Sequence, residues 1–215
     1  KLAAGAAYVF TRSGTTWNQQ AYVKASNTNA YDYFGGSVSI SGDTLVVGAH
    51  GEDSNASGVN GNQADNSATL AGAAYVFFRD GSTWSQQAYL KASNTYAGDH
   101  FGWSVTISGN TIIMGAYQES SSSTTINGSQ EDTTGVLYSG AAYLFTRSGT
   151  NWRQQTYLKA SNADYWNKFG VCASLDGDTL VVGSNVGSGF GFSGSGGAYV
   201  FAYTPTTTMS LNSID

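Results

Sequence analysis

Cysteine and proline each occur once in the 215 residues, as Cys172 and Pro205, and only 11% of the residues are charged. A single cysteine rules out an internal disulfide framework. Nine Lys and Arg against fourteen Asp and Glu leave a net charge of −5. So few cations cannot neutralise a run of phosphates, which excludes nucleic acid as a partner. No apolar run approaches the ~18 residues that a helical span needs, so membrane insertion is not expected. The first residues do not read as a leader peptide, which leaves the compartment open. Helical periodicity is not sustained in any window, and Lys, Glu and Leu are scarce.

Strand-forming residues are abundant. Fourteen Tyr, ten Phe and five Trp stand beside many Thr and Val, with 28 Gly to punctuate them. Beta-branched and aromatic side chains fit a pleated, half-buried surface, so the chain reads as all-β.

The strongest signal is repetition. Gly5-Ala6-Ala7-Tyr8-Val9-Phe10 returns as Gly72 to Phe77, as Gly140 to Phe145 and, shortened, as Gly197 to Phe201, the first three copies starting 67 and 68 residues apart. Each full copy reads as four short strands. Phe34 to Ile40 alternates small or polar with apolar residues; Ser41-Gly42-Asp43-Thr44 is a tight turn; Leu45 to Ala49 is a short apolar run suited to burial on both faces. A long polar loop covers residues 50–71, Ala73 to Phe78 is a third strand, and Gln86 to Lys91 a fourth. The tail offers a weak further strand around Met209 to Ile214. A four-stranded unit of this kind cannot bury its faces alone and must stack on its neighbours. The expected architecture is therefore tandem four-stranded antiparallel blades, β-propeller-like and open, about three and a half in number. The expected divisions are a half blade at 1–33, full blades at 34–100 and 101–168 with long loops at 50–71 and 117–139, and a C-terminal blade at 169–215.

Phe34-Gly35 followed by Val47-Gly48-Ala49 and then Gly72-Ala73-Ala74-Tyr75-Val76-Phe77 resembles the FG-GAP repeat of integrin-α-type β-propellers, most nearly that of bacterial secreted proteins with tandem FG-GAP repeats. The resemblance covers nearly the whole chain. It implies a secreted or cell-surface, bacterial protein engaged in adhesion, scaffolding or recognition. Two departures bear on sites. The hairpins Ser41-Gly42-Asp43, Ser108-Gly109-Asn110 and Asp176-Gly177-Asp178 are too short to form the family's Asp-rich calcium loop, and the proline of the family's name is replaced by His50, Tyr117 and Asn185.

Candidate site residues come from comparing the copies. Glu52, Asp53 and Asp65 of one long loop match Glu119, Glu131 and Asp132 of the next in part, and the two sets could supply oxygens to Ca²⁺ or fold the loops onto themselves. No other cofactor is indicated. Trp17, Trp84 and Trp152 recur and suit packing between blades. Trp103 and Trp166 each fall in one copy only, and are the first candidates for stacking on a carbohydrate. Asn55-Ala56-Ser57 and Asn127-Gly128-Ser129 are glycosylation sequons, with Asn55 and Asn127 as acceptors in a glycosylating host. Asp32 and Asp99, two residues before Phe-Gly, suit capping of the bend. His50 and His100 do not recur and are expected as exposed loop-end residues, while Cys172, aligned with Ser37 and Ser104, is expected buried and unreactive. No nucleophile or metal signature repeats. The expected function is a non-catalytic extracellular structural or adhesive module, partnered by itself (as homo-oligomer or fibre), by further blades of a longer chain, or by a glycan or cell-surface ligand. The alternative is a carbohydrate-binding or polysaccharide-active propeller.

Overall fold

A computed structural model describes residues 1–132, 136–185, 196–203 and 210–212. Among the described residues there are fourteen strands and no helix. They form one two-stranded and three four-stranded antiparallel sheets, in tandem and without closing into a barrel. The first sheet is β1 (Ala7–Ser13) with β2 (Thr16–Val23). The second runs β3 (Ser37–Ser41), β4 (Thr44–Ala49), β5 (Ala73–Asp80) and β6 (Thr83–Leu90) in spatial order. The third is β7 (Ser104–Ser108), β8 (Thr111–Ala116), β9 (Ala141–Ser148) and β10 (Asn151–Leu158). The last is β11 (Cys172–Asp176), β12 (Thr179–Ser184), β13 (Gly197–Ala202) and β14 (Ser210–Asn212). The all-β, blade-like architecture expected from the repeats is thus present, and β14 lies within the tail segment read as a weak strand.

Each blade follows from local chemistry. Ser41 pairs with Thr44, leaving Gly42 and Asp43 as a two-residue loop with Gly42 at φ 57°, the left-handed value such hairpins require. All six residues of β4 are buried, because both faces of the sheet are covered by neighbours. Leu45, Val47, Tyr75 and Phe77 pack towards the first sheet with Ala7, Val9 and Val23, while Val46, Ala74, Val76 and Leu90 pack towards Val105, Ile112, Met114, Tyr143 and Phe145 of the third.

Three devices join the blades. The inner strands β3, β7 and β11 are laced by hydroxyls: Ser37 Oγ donates to the Gly102 carbonyl at 2.8 Å, Ser104 Oγ to Gly170 at 2.9 Å and Thr106 Oγ1 to Ala173 at 2.8 Å. The two repeated motifs meet each other: Gly72 bridges Phe101 and Gly140 bridges Phe169, both in parallel. At Gly102 (φ 81°) a Cβ would stand 2.3 Å from the Ala73 carbonyl oxygen, so the Phe-Gly of one blade needs its glycine in order to abut the Gly-Ala-Ala of the previous one. Third, a bulge recurs in the outer strand: the register shifts between Val9 and Phe10 and between Val76 and Phe77. The residues it leaves out of register, Gln20 and Gln87, accept the indole N–H of Trp84 at 2.9 Å and of Trp152 at 2.8 Å in the following blade. A bulge re-aims a side chain, and here it aims a glutamine at a neighbour. Arg79 and Arg147 cover the same indoles at 5.4 and 5.0 Å. Trp84 and Trp152 therefore pack between blades as expected, whereas Trp17 is 64% exposed.

The two-stranded first sheet leaves apolar surface open. Tyr8, Phe10, Val38 and Ile40 are more than half exposed, although their counterparts Tyr75, Phe77, Val105 and Ile107 are buried. Together with Leu45 they line a groove of about 590 Å³ along the edge of β1. Cys172 corrects an expectation: it is exposed. Its counterparts Ser37 and Ser104 are covered by the next blade, and no described residue plays that part for β11.

Candidate functional site

The long loops are organised by buried charge. Lys91 and Lys159, at the ends of the outer strands, are completely buried, as are Glu52 and Glu119 at the starts of the loops. Lys91 Nζ lies 3.0 Å from Glu52 Oε2, and Lys159 Nζ 2.7 Å from Glu119 Oε2. The other carboxylate oxygen is held from the preceding blade: Asn27 Nδ2 donates to Glu52 Oε1 at 3.1 Å, Asn94 Nδ2 to Glu119 Oε1 at 3.2 Å. Each asparagine is fixed in turn by a tyrosine hydroxyl, from Tyr75 at 2.6 Å and from Tyr143 at 2.7 Å. The second copy is more fully satisfied. Tyr157 donates to Glu119 at 2.7 Å, and Lys159 also reaches the Ser121 carbonyl at 3.0 Å and Ser139 Oγ at 2.7 Å. Tyr89, the counterpart of Tyr157, leaves its buried hydroxyl without a hydrogen bond. Burial pulls the ammonium groups of Lys91 and Lys159 towards neutrality, opposed by the adjacent glutamate, and pushes the phenols of Tyr75, Tyr89, Tyr143 and Tyr157 upward. These lysines are core residues, not solvated strand ends. Sequence reasoning had the signal and missed it: Glu and Lys recur together at separations of 39 and 40.

Three of the remaining loop carboxylates expected for Ca²⁺ take protein partners. Asp53 accepts the Leu70 N–H at 2.8 Å. Asp65 accepts the N–H groups of Asn55 and Ser67, both at 3.0 Å, and the Ser67 hydroxyl, which together hold its carboxyl below the usual value. Asp132 accepts the Ser120 N–H at 3.3 Å, and Glu131 is exposed. Among the described residues no three His, Cys, Asp or Glu side chains gather into a set that could hold a cation. Of the sequon asparagines, Asn55 is exposed at the surface, while Asn127, also exposed, uses its side-chain oxygen to accept the Tyr157 N–H at 2.9 Å.

Asp32 and Asp99 cap the bend as expected, accepting the N–H of Asn29 at 2.6 Å and of Tyr96 at 3.1 Å. Both are almost fully buried, and Asp32 Oδ1 has no hydrogen-bond partner. Burial, and then the neighbouring Asp132 and Glu119, push the Asp99 carboxyl up to about 9; Asp132 itself rises to about 6 through burial and Glu119. These two acids line a cavity of about 340 Å³ with Gln118, Ser120, Leu137 and Tyr138.

Beside the cavity runs a row of rings. Tyr33 stacks on His50 at 5.0 Å; His50 meets the edge of Trp103 at 4.7 Å; Trp103 packs on Tyr117 at 4.5 Å. His100 closes the group, 5.5 Å from Tyr117, with Nδ1 3.1 Å from the His50 carbonyl oxygen. The Lys168 ammonium bridges Tyr117 at 6.0 Å to Trp166 at 5.4 Å, and Trp166 meets Tyr138 at 4.7 Å. Trp103 and Trp166, singled out separately in the sequence, thus belong to one continuous surface spanning three blades. The histidines are half-buried members of it and not free loop ends. Burial lowers both, His50 to about 4. The row forms because positions 33, 100 and 168 are equivalent in the repeat, and all three residues hold left-handed φ, 54°, 57° and 50°.

Stacked antiparallel blades laced through their inner strands define a propeller-type repeat protein, and the described residues form four such sheets in tandem. The FG-GAP repeat family matches residues 17–77, 84–145 and 152–201, and the chain belongs to that family. No curated protein matches it.

Proposed function

We propose that the chain is a non-catalytic, extracellular structural or adhesive repeat module whose recognition face is the ring row from Tyr33 to Tyr138. The supporting observation is that the row is built from His50, His100, Trp103 and Trp166, side chains that do not recur in the other copies although the backbone beneath them does. Packing needs are the same in every blade; a local departure from the repeat is where recognition belongs. Against catalysis stands the saturation of the buried Lys–Glu–Asn–Tyr network, which holds its carboxylates in bonds to protein. Surfaces coated with extracellular matrix or cell-wall material should retain the protein, and Trp103→Ala should reduce retention at least fivefold; equal retention of both proteins would sink this reading.

The groove at β1 supports docking of a further blade of the same kind, from a second copy or from a longer chain, since it exposes side chains whose counterparts at the following junction are buried. Sedimentation should show concentration-dependent growth that Ile40→Arg abolishes. A glycan-acting reading is favoured by one observation, the paired acids Asp99 and Asp132 with their unlike proton affinities. Release of reducing ends from neutral polysaccharides, lost in Asp132→Asn, would move the protein into the enzyme class.

A further inference from the structure

We propose that the cavity formed by Asp99, Gln118, Ser120, Asp132 and Tyr138 holds one pyranose residue of an uncharged glycan chain, the chain continuing over Trp166 and Trp103. The inference rests on the adhesive reading and names its ligand. Cavity and row are built together: Asp99 precedes His100, Gln118 follows Tyr117, and Tyr138 both lines the cavity and packs on Trp166. A sugar ring has an apolar C–H face and a rim of hydroxyls. Half-exposed indole and phenol faces match the first, and convergent polar groups in a concave site match the second.

The cavity's two carboxyls keep acceptor capacity beyond their bonds to the protein. Asp99 is 2% exposed, lines the cavity, and among the described residues bonds one carboxyl oxygen, Oδ2, to the Tyr96 N–H, which leaves Oδ1 available on the cavity side. Asp132 likewise commits only one oxygen, to Ser120. Among the described residues no third His, Cys, Asp or Glu side chain joins these two acids, so the lining favours hydroxyls over a cation. With Asp99 carrying its proton at neutral pH and Asp132 largely ionised, the pair offers a donor and several acceptors, which suits hydroxyls. Two acids and no cation line the cavity, in a chain of net charge −5, which turns away carboxylated or sulfated sugars, so the glycan is uncharged.

The test is a titration of tryptophan emission with neutral oligosaccharides (gluco-, galacto-, manno-, xylo- and N-acetylgluco-series), with CaCl₂ alone as a parallel arm. At least one series should bind saturably. Trp166→Ala and Gln118→Ala, both of partly exposed residues, should each weaken binding fivefold or more, while Trp17→Ala at the far end of the array should leave it unchanged. Failure of every series to bind overturns the proposal, as does saturable Ca²⁺ binding lost in Asp132→Asn without any sugar binding. Retention on protein-coated but not glycan-coated beads would remove the glycan and leave the adhesive reading standing; retention on neither would remove both.

Discussion

Replacing Lys159 by Met tests whether the buried ion pairs hold the long loops to the blades. Removing one partner of a buried pair leaves an uncompensated charge, at a cost of about 3–5 kcal/mol. Lys91→Met strands only Glu52, since Lys91 bonds no other group, so a loss of about 3 kcal/mol is expected. Lys159 also satisfies the Ser121 carbonyl and Ser139 Oγ, and truncation orphans both, at about 1 kcal/mol each at the least. Lys159→Met should therefore lose about 5 kcal/mol, which approaches the whole stability of an ordinary domain. The second arm is Glu119→Gln with Lys159→Met, which removes the charge as well as its partner and should recover more than half of the loss. Urea unfolding followed by tryptophan emission reads all four proteins. The reasoning fails if Lys159→Met costs under about 1 kcal/mol, or if the double variant is no more stable than the single one.

Three further outcomes follow from the structure. The Asp99 carboxyl is raised from its ordinary 3.8 to about 9, so its favourable contribution is complete below about pH 4 and is lost as pH rises through 9. At about 1.4 kcal/mol per pH unit, Asp99→Asn should stabilise on the order of 4 kcal/mol at pH 7 and much less at pH 4.5, and an equal effect at both would refute it. His50 is lowered from 6.5 to about 4, so its contribution is present above pH 6.5 and declines as pH falls towards 4. His50→Tyr, the residue found at the equivalent position 117, should remove about 2 kcal/mol of that acid sensitivity in melts between pH 7 and 4.5. Gly102→Ala places a Cβ against the Ala73 carbonyl at a left-handed φ and should cost about 3 kcal/mol or more in thermal unfolding; a loss below 1 kcal/mol would show that the blade junction yields.

Repetition made the architecture legible before any coordinate. Period 67 and 68, the Gly-Asp and Gly-Asn turns and the unbroken apolar runs of the second strands are local signals, because hairpin geometry and two-sided burial act on adjacent residues. Comparing copies also separated Trp84 and Trp152, which every blade needs, from Trp103 and Trp166, which occur once. Other features depended on distance in the chain. Gln87 meets Trp152 across 65 positions, and only the bulge in β6 explains why a surface-looking glutamine does so. A lysine at a strand end is ordinarily solvated, yet the loop folded over Lys159 brings Glu119 from 40 positions away and closes it from water. Cys172 and Ile40 show the converse: Ile107 is buried and Ser37 and Ser104 are half-buried, yet Cys172 and Ile40 are exposed, because burial belongs to the junction between blades and not to the residue. The same holds for the ring row and the Asp99–Asp132 cavity. A sequence period sets which residues are equivalent and hence the blade, since backbone pairing is local. Which equivalents touch, and so which surface is left to recognise a ligand, is set by the stacking of whole blades, where each contact joins segments a full repeat apart.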